Sequence, residues 1–295
     1  MGTAHQRKQL IFKIIDELCQ KYKITRLCYY IKVSRSGYYA WKNLGKPLYK
    51  NYDKELASKI MLLFEERKKG YRYIAFQLER KYKITRNPKT IVRYMQILNI
   101  KSPIRKKKFF HYSRKEISLN SILVAPNILN RNFEAKAPFK KLVTNVSYLY
   151  HKNGRVFSSI VKDLYDNSIL AYQISKKNDI KLVMDNISKV FSKQAYKCIL
   201  HSDQGSQYNS HIYKDTLESL GVTISHSRKG NCYDNACCEN FFSHLKSELL
   251  YLQPAKSEQE LIKQVNDYVI WYNYDRPQSK LKGMTPIEYR NHTSF

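Results

Sequence analysis

A chain of 295 residues can bury one medium-sized core and one or two small ones. Its 53 Lys and Arg against 24 Asp and Glu give a formal charge of +29, which points to a polyanionic partner. No apolar run can span a bilayer, no signal-peptide segment opens the chain, and the six cysteines show no zinc or disulfide spacing, so a cytoplasmic protein with free thiols is expected.

The cationic excess lies mostly in residues 1–140, ahead of a nearly balanced remainder. Ile11, Ile14, Ile15 and Leu18 recur at helical intervals and predict a helix over 9–21. A second is expected over 24–31, and a third after Val33, with Ser34 or Ser36 as its N-cap. Three short helices with a tight turn suggest a helix-turn-helix over 1–45. Lys32 and Arg35 are then placed for DNA phosphates or base edges, and Tyr38, Tyr39 and Trp41 for the core. Leu44-Gly45-Lys46-Pro47 breaks the pattern.

A second helical module, helix-turn-helix-like, is expected over 46–100. Leu56, Ile60, Leu63 and Phe64 share one face, Gly70 is a C-cap candidate, 71–82 is the next helix, and Asn87-Pro88 launches the last. Residues 101–137 form a basic linker in which Arg105, Lys106, Lys107 and Lys108, beside Phe109 and Phe110, suit a track of phosphates. A solvated charge run is the bland alternative.

From 141 the period changes. Strand-like segments at 142–150, 156–161 and 169–174, a helix at 179–193 and a strand at 197–201 follow one another. That order predicts an α/β fold, a ribonuclease H-like core of mixed sheet flanked by helices over 138–252, preceded by small all-α modules and followed by a helical extension over 253–295. Asp203 comes directly after the last of these strands. Glu239 lies 35 intervening residues later on an expected helix, 235–250, with Asp234 as its N-cap. Two carboxylates so placed can converge on divalent metal ions.

The strings around them are specific: His201-Ser202-Asp203-Gln204-Gly205, Ser227-Arg228-Lys229-Gly230-Asn231, and Asp234-Asn235-Ala236 followed by Glu239 and Phe241-Phe242. Together they resemble the catalytic core of insertion-sequence transposases whose second reading frame (OrfB) encodes a domain like retroviral integrase. Ala125-Pro126-Asn127-Ile128-Leu129, Tyr274-Asp275-Arg276-Pro277 and Thr285-Pro286-Ile287-Glu288-Tyr289 extend the resemblance over nearly the whole chain. It implies two aspartates and a glutamate holding two Mg²⁺ or Mn²⁺ ions. Asp203 matches the second acid and Glu239 the third. The first falls in a Thr-Asp-(Ile/Val)-(Thr/Ser)-Tyr motif, which here reads Thr144-Asn145-Val146-Ser147-Tyr148, so that position is an asparagine.

The resemblance further implies DNA contact by Lys246, two helical turns beyond Glu239, and a substrate-gripping, mobile loop carrying Arg228 and Lys229. It implies cleavage and 3′-hydroxyl strand transfer on the terminal repeats of an insertion sequence and on target DNA. A homo-oligomer on DNA is expected, and so is a fusion with, or partner from, an upstream reading frame. Asn145 removes a negative charge where Mg²⁺ prefers charged oxygens, so weakened catalysis is expected. Three readings stand open: an impaired transposase, a non-catalytic DNA-end binder or regulator, and a ribonuclease H-like nuclease using another acid, with Asp163 and Asp166 nearest.

Overall fold

In the computed structural model, which describes residues 4–43, 45, 52–104, 124–192 and 196–292, the chain opens with α1 (Ala4–Leu18), α2 (Ile24–Tyr30) and α3 (Arg35–Asn43). Ser34 Oγ accepts the Gly37 N–H at 2.9 Å and caps α3. Phe12, Ile15, Cys28, Tyr38 and Trp41 form the core of the trio. Tyr39, expected inside, is 47% exposed, because one residue's step around a helix turns it away from Tyr38. Lys32, in the left-handed region between α2 and α3, and Arg35, at the start of α3, are both exposed.

Two units divide the chain: residues 1–66 with 89–100, and residues 67–88 with 101–295. The first also holds α4 (Lys54–Arg67) and most of α6 (Pro88–Ile97). Leu56, Ile60, Leu63 and Phe64 are buried on α4, and Ile91, Tyr94 and Met95 on α6. Asp53 Oδ1 accepts the Leu56 N–H, and the Asp53 N–H is donated to Tyr94 Oη.

The second unit contains α5 (Tyr71–Tyr82) and the sheet. Gly70, expected to end a helix, is extended and opens α5 instead, and α4 has already ended at Arg67. Gln77 donates to the Asp275 carbonyl, and Arg80 pairs with Glu288.

β1 (Lys141–His151), β2 (Gly154–Asp163) and β3 (Ile169–Ser175) form an antiparallel meander. Asp179 caps α7 (Ile180–Phe191), which leads to β4 (Ile199–Ser202), parallel to β1. After α8 (His211–Ser219), β5 (Thr223–His226) adds parallel to β4, giving the order β3-β2-β1-β4-β5. This is the ribonuclease H-like arrangement expected. One face packs Val143, Leu149 and Ile160 against Phe241 and Leu245 of α9 (Ala236–Leu245) and Val265 and Tyr268 of α10 (Glu258–Tyr274). The other packs Leu142 and Val161 against Val183 and Ile187 of α7 and Tyr213 and Leu217 of α8. Each such buried side chain contributes about 1.5–3 kcal/mol of transfer free energy, so the sheet is held rigidly from both sides.

α11 (Pro286–His292) supplies Arg290, whose guanidinium binds Asp163 (2.9 Å), Asp166 and Ser168. Among the described residues, no helix is long and apolar enough to cross a membrane.

Candidate active site

Parallel pairing of β1 with β4 ends at Val143 and His201, two residues before Asn145 and two before Asp203, so both residues lie at the same end of the sheet. Helix α9 reaches the same place. Asn235, its N-cap, donates from Nδ2 to the Thr144 carbonyl at 3.1 Å, one residue from Asn145. Glu239 follows one turn later on the face of Asn235. The sheet thus brings together the three positions expected from sequence.

Each loop residue of the His201–Gly205 string has a local task. His201 is fully buried, bonding Ser225 Oγ (2.9 Å) and Ser227 Oγ (3.0 Å), and burial pushes its imidazole down to about 4. It is therefore a neutral strut rather than a proton carrier at neutral pH. Gln204 donates to the Ser227 carbonyl, joining the two loops. The Gly205 N–H donates to Asp203 Oδ1 at 3.0 Å, and a Cβ there would meet Gln207 Oε1 at 2.8 Å and Asp203 Oδ1 at 3.1 Å. Buried Tyr208 lies below, its hydroxyl 3.4 Å from Thr144 Oγ1.

Burial raises the Asp203 carboxyl above its ordinary value, opposed by the Gly205 N–H. Glu239 is raised by burial and then by the charge of Asp203. Among the described residues neither carboxylate has an ion-pair partner. Two like charges held this way are what a divalent cation relieves. Asn235 Oδ1 is a further buried oxygen with no hydrogen-bond partner. The donor set is therefore hard oxygen and fits Mg²⁺ or Mn²⁺, but it is short of charge. Asn145 Oδ1 accepts the N–H of Val146 at 2.9 Å, which leaves its other terminal atom, Nδ2, a donor that cannot ligate. Among the described residues, no three His, Cys, Asp or Glu side chains converge on a metal position.

Asp163 and Asp166, the alternatives for the missing acid, are fully buried and committed elsewhere. Asp163 accepts the Phe139 and Tyr165 N–H groups as well as Arg290, and burial raises it to about 6. Neither is available to the site.

Lys246 begins a π-helical turn, Lys246–Leu250, that continues α9; the single helix expected to run to Leu250 changes winding here. Its ammonium donates to Ser147 Oγ at 2.8 Å and lies 4.6 Å from the Tyr148 ring centre, so it stands beside the strand that carries Asn145.

Asp234 is not the cap expected of it. Its buried carboxylate accepts Arg228 Nε and Nη2 (both 2.8 Å), the Arg228 N–H, Arg131 Nε (2.8 Å) and Asn127 Nδ2 (3.0 Å). Those donors, Arg228 first, hold it well below the usual carboxylate range. The loop expected to be mobile is thus pinned at Arg228, while Lys229 beside it is exposed. Sequence reasoning missed Asn127 and Arg131 as its partners, since nothing local links positions a hundred residues apart. Ala125, Ile128 and Leu129 dock on the same end of the sheet through His226 and Ser225. Arg105, Lys106, Lys107 and Lys108 lie outside the described residues.

Comparison with known proteins gives a consistent result. Models described as "Integrase core domain" match residues 135–232 and 239–293, and one described as "HTH-like domain" matches 51–108. The putative transposase InsK for insertion sequence element IS150 of Escherichia coli K12 is 37% identical over 288 residues, 95% of this chain and 98% of that protein. The transposase for IS904 of Lactococcus lactis is 32% identical, covering 81% of this chain and 94% of its own length. The transposase InsF for IS3A of Escherichia coli is 25% identical, covering 95% and 98%.

Proposed function

This chain belongs to the insertion-sequence transposases with an integrase-type core, DNA strand transferases that use divalent metal and bind DNA, and we propose that its own site is Asn145, Asp203 and Glu239. The observation that supports the reading is the meeting of β1, β4 and α9, which sets an acidic pair, without an ion-pair partner among the described residues, near Asn145. Asp203 and Glu239 would hold two ions, Mg²⁺ or Mn²⁺, with Asn145 the poorest of the three ligands. Bound there, the metal supplies Lewis-acid polarisation of a phosphodiester and neutralises charge developing on it.

The chain's own residues do the rest. The reaction is attack at phosphorus, first by water, which breaks the P–O3′ bond to leave a 3′-hydroxyl and a 5′-phosphate, and then by that hydroxyl on a target phosphodiester, which displaces the target's 3′-oxygen as a hydroxyl. Lys246, fixed by Ser147, orients a phosphate beside the acids. Arg228 and Lys229 flank the strand, and Lys32, Arg35 and Arg105–Lys108 supply contacts to the terminal repeats. We place this chain on DNA as a homo-oligomer, joined by or fused to the product of an upstream reading frame. The domain limits are those of the sequence reading, 1–45, 46–100, 101–137, 138–252 and 253–295, with α5 sharing a unit with the core.

A second reading, a DNA-end binder or regulator of transposition, is favoured by one observation, the engaged amide at Asn145. Metal-dependent joining of a labelled element end, compared between the chain as it stands and Asn145→Asp, decides between them. Joining restored by the aspartate supports the strand-transfer site. Joining by neither protein supports the binder.

A further inference from the structure

Among the described residues, β1 has no strand neighbour on the β4 side beyond Val143, because its pairing with β4 covers Lys141–Val143. Two tyrosines stand along this open stretch. Tyr148 is 48% exposed and Tyr150 60% exposed, two residues apart and so on one face, with ring centres 5.3 Å apart at 64°. They follow Leu142 and Val146 on that face, past the part that α7 covers. Lys246 lies over Tyr148 and is bonded to Ser147. At about 3.3 Å per residue, Tyr148 is roughly 10 Å along the strand from Asn145.

A single exposed tyrosine needs no explanation. Here two aromatic rings of β1 lie beside an ammonium supplied by the π-helical turn, on the sheet face opposite to Asn145, which is the composition of a platform for unpaired nucleotides: rings for the base faces and a cation for the backbone. The Lys246–Tyr148 contact also holds that ring in place before any ligand arrives, which lowers the cost of ordering it. We propose that Tyr148 and Tyr150 stack the unpaired terminal bases of a DNA end while Lys246, at the strand edge, holds the adjoining phosphate. The assignment rests on the strand-transfer reading for its purpose, but not for its test.

The full chain is mixed with a single-stranded oligonucleotide carrying 5-iododeoxyuridine, or with the same strand annealed in a duplex, then irradiated and mapped by peptide mass. A crosslink within the peptide holding Tyr148 and Tyr150 is expected for the single strand. The Tyr148→Ala/Tyr150→Ala protein should lose it, with single-strand affinity weakened roughly 5- to 150-fold and duplex affinity unchanged. Tyr148→Phe/Tyr150→Phe should restore the affinity, since rings are kept. Crosslinks only at other peptides, or equal weakening for single strand and duplex, would overturn the platform. Joining by Asn145→Asp protein is scored separately: its failure beside an intact crosslink sinks strand transfer alone, and joining without the crosslink sinks the platform alone.

Discussion

Replacing Asn145 by aspartate adds one negative charge and almost no volume. The carboxylate can keep the bond from the Val146 N–H with one oxygen and present the other where Asn145 now presents Nδ2. Without metal the gain is unfavourable. Asp203 and Glu239 are already raised, by burial and then, for Glu239, by Asp203, so a third carboxylate should cost on the order of 1–2 kcal/mol at neutral pH. An acid whose folded-state value is raised loses stability as pH rises through that value. The gap between the two proteins should therefore close as pH falls through the carboxylate range. Metal reverses the order. At a hundredfold excess over its dissociation constant, a ligand of the native state adds about 2.7 kcal/mol, a rise in Tm of roughly 5–11 °C for a domain of this size. The unsubstituted protein should show a smaller rise, and strand joining lower by about 10²–10³-fold. Calorimetry with and without Mn²⁺ at neutral pH, beside joining of a labelled DNA end, reads both quantities. Equal metal response and equal joining would mean that residue 145 is not the first ligand position.

Other outcomes follow from the charged groups around the site. Asp234→Asn should lower stability by about 1–3 kcal/mol, discounted for the half-exposed Arg131 and Arg228, and should free the 228–231 loop to proteolysis. Because Asp234 is held low, the wild-type contribution should be present above the unfolded carboxylate value and vanish as pH falls through the folded one; a Tm difference that persists at low pH would contradict this. Lys69 is buried against Glu248, which also takes Arg276 (2.8 Å) and Tyr268 (2.8 Å), and burial pushes its ammonium down to about 7. Stability should then fall as pH drops from about 10 to 7, and Lys69→Met should flatten that slope; an unchanged slope would put the titration elsewhere. Affinity of the full chain for duplex DNA should fall on the order of 10³-fold or more between 50 and 200 mM salt, and a flat response would dismiss the +29 charge as the source of binding.

What was legible in the sequence was what neighbours along the chain decide. Alternation in 142–150 and the turn after it placed β1 and β2; Ser34 and Pro88 placed helix starts; Asp203 was read at the end of its strand because an apolar run stops there. β5 was not read, since Thr223–His226 is four residues without alternation and becomes a strand only beside β4. Gly70 was misread for a general reason: glycine marks a break without saying which side the helix lies on, and here its extended backbone begins α5. Asp234 sits where a capping residue sits, yet two arginines and an asparagine take its oxygens, and Arg131 and Asn127 are about a hundred residues away. Glu248, within the winding change at Lys246–Leu250, is likewise held from a distance, by Lys69, Tyr268 and Arg276.

The energetics of the site bear on which of the two readings the protein suits. A domain that only grips DNA gains nothing from Asp203 and Glu239: partial desolvation disfavours the charged form of Asp203, and desolvation and then the Asp203 charge that of Glu239, although Glu239 stays exposed. Asp163 and Asp166 differ in having a basic partner, since Arg290 binds both. Acids with no basic partner among the described residues, at the convergence of two strands and a helix, suit the divalent cation proposed above. On the proposed assignment, Asn145 would weaken that cation's hold without removing the arrangement. The molecule therefore has the architecture of a strand transferase, and on the proposed assignment a single substitution, Asn145→Asp, would complete its acidic set.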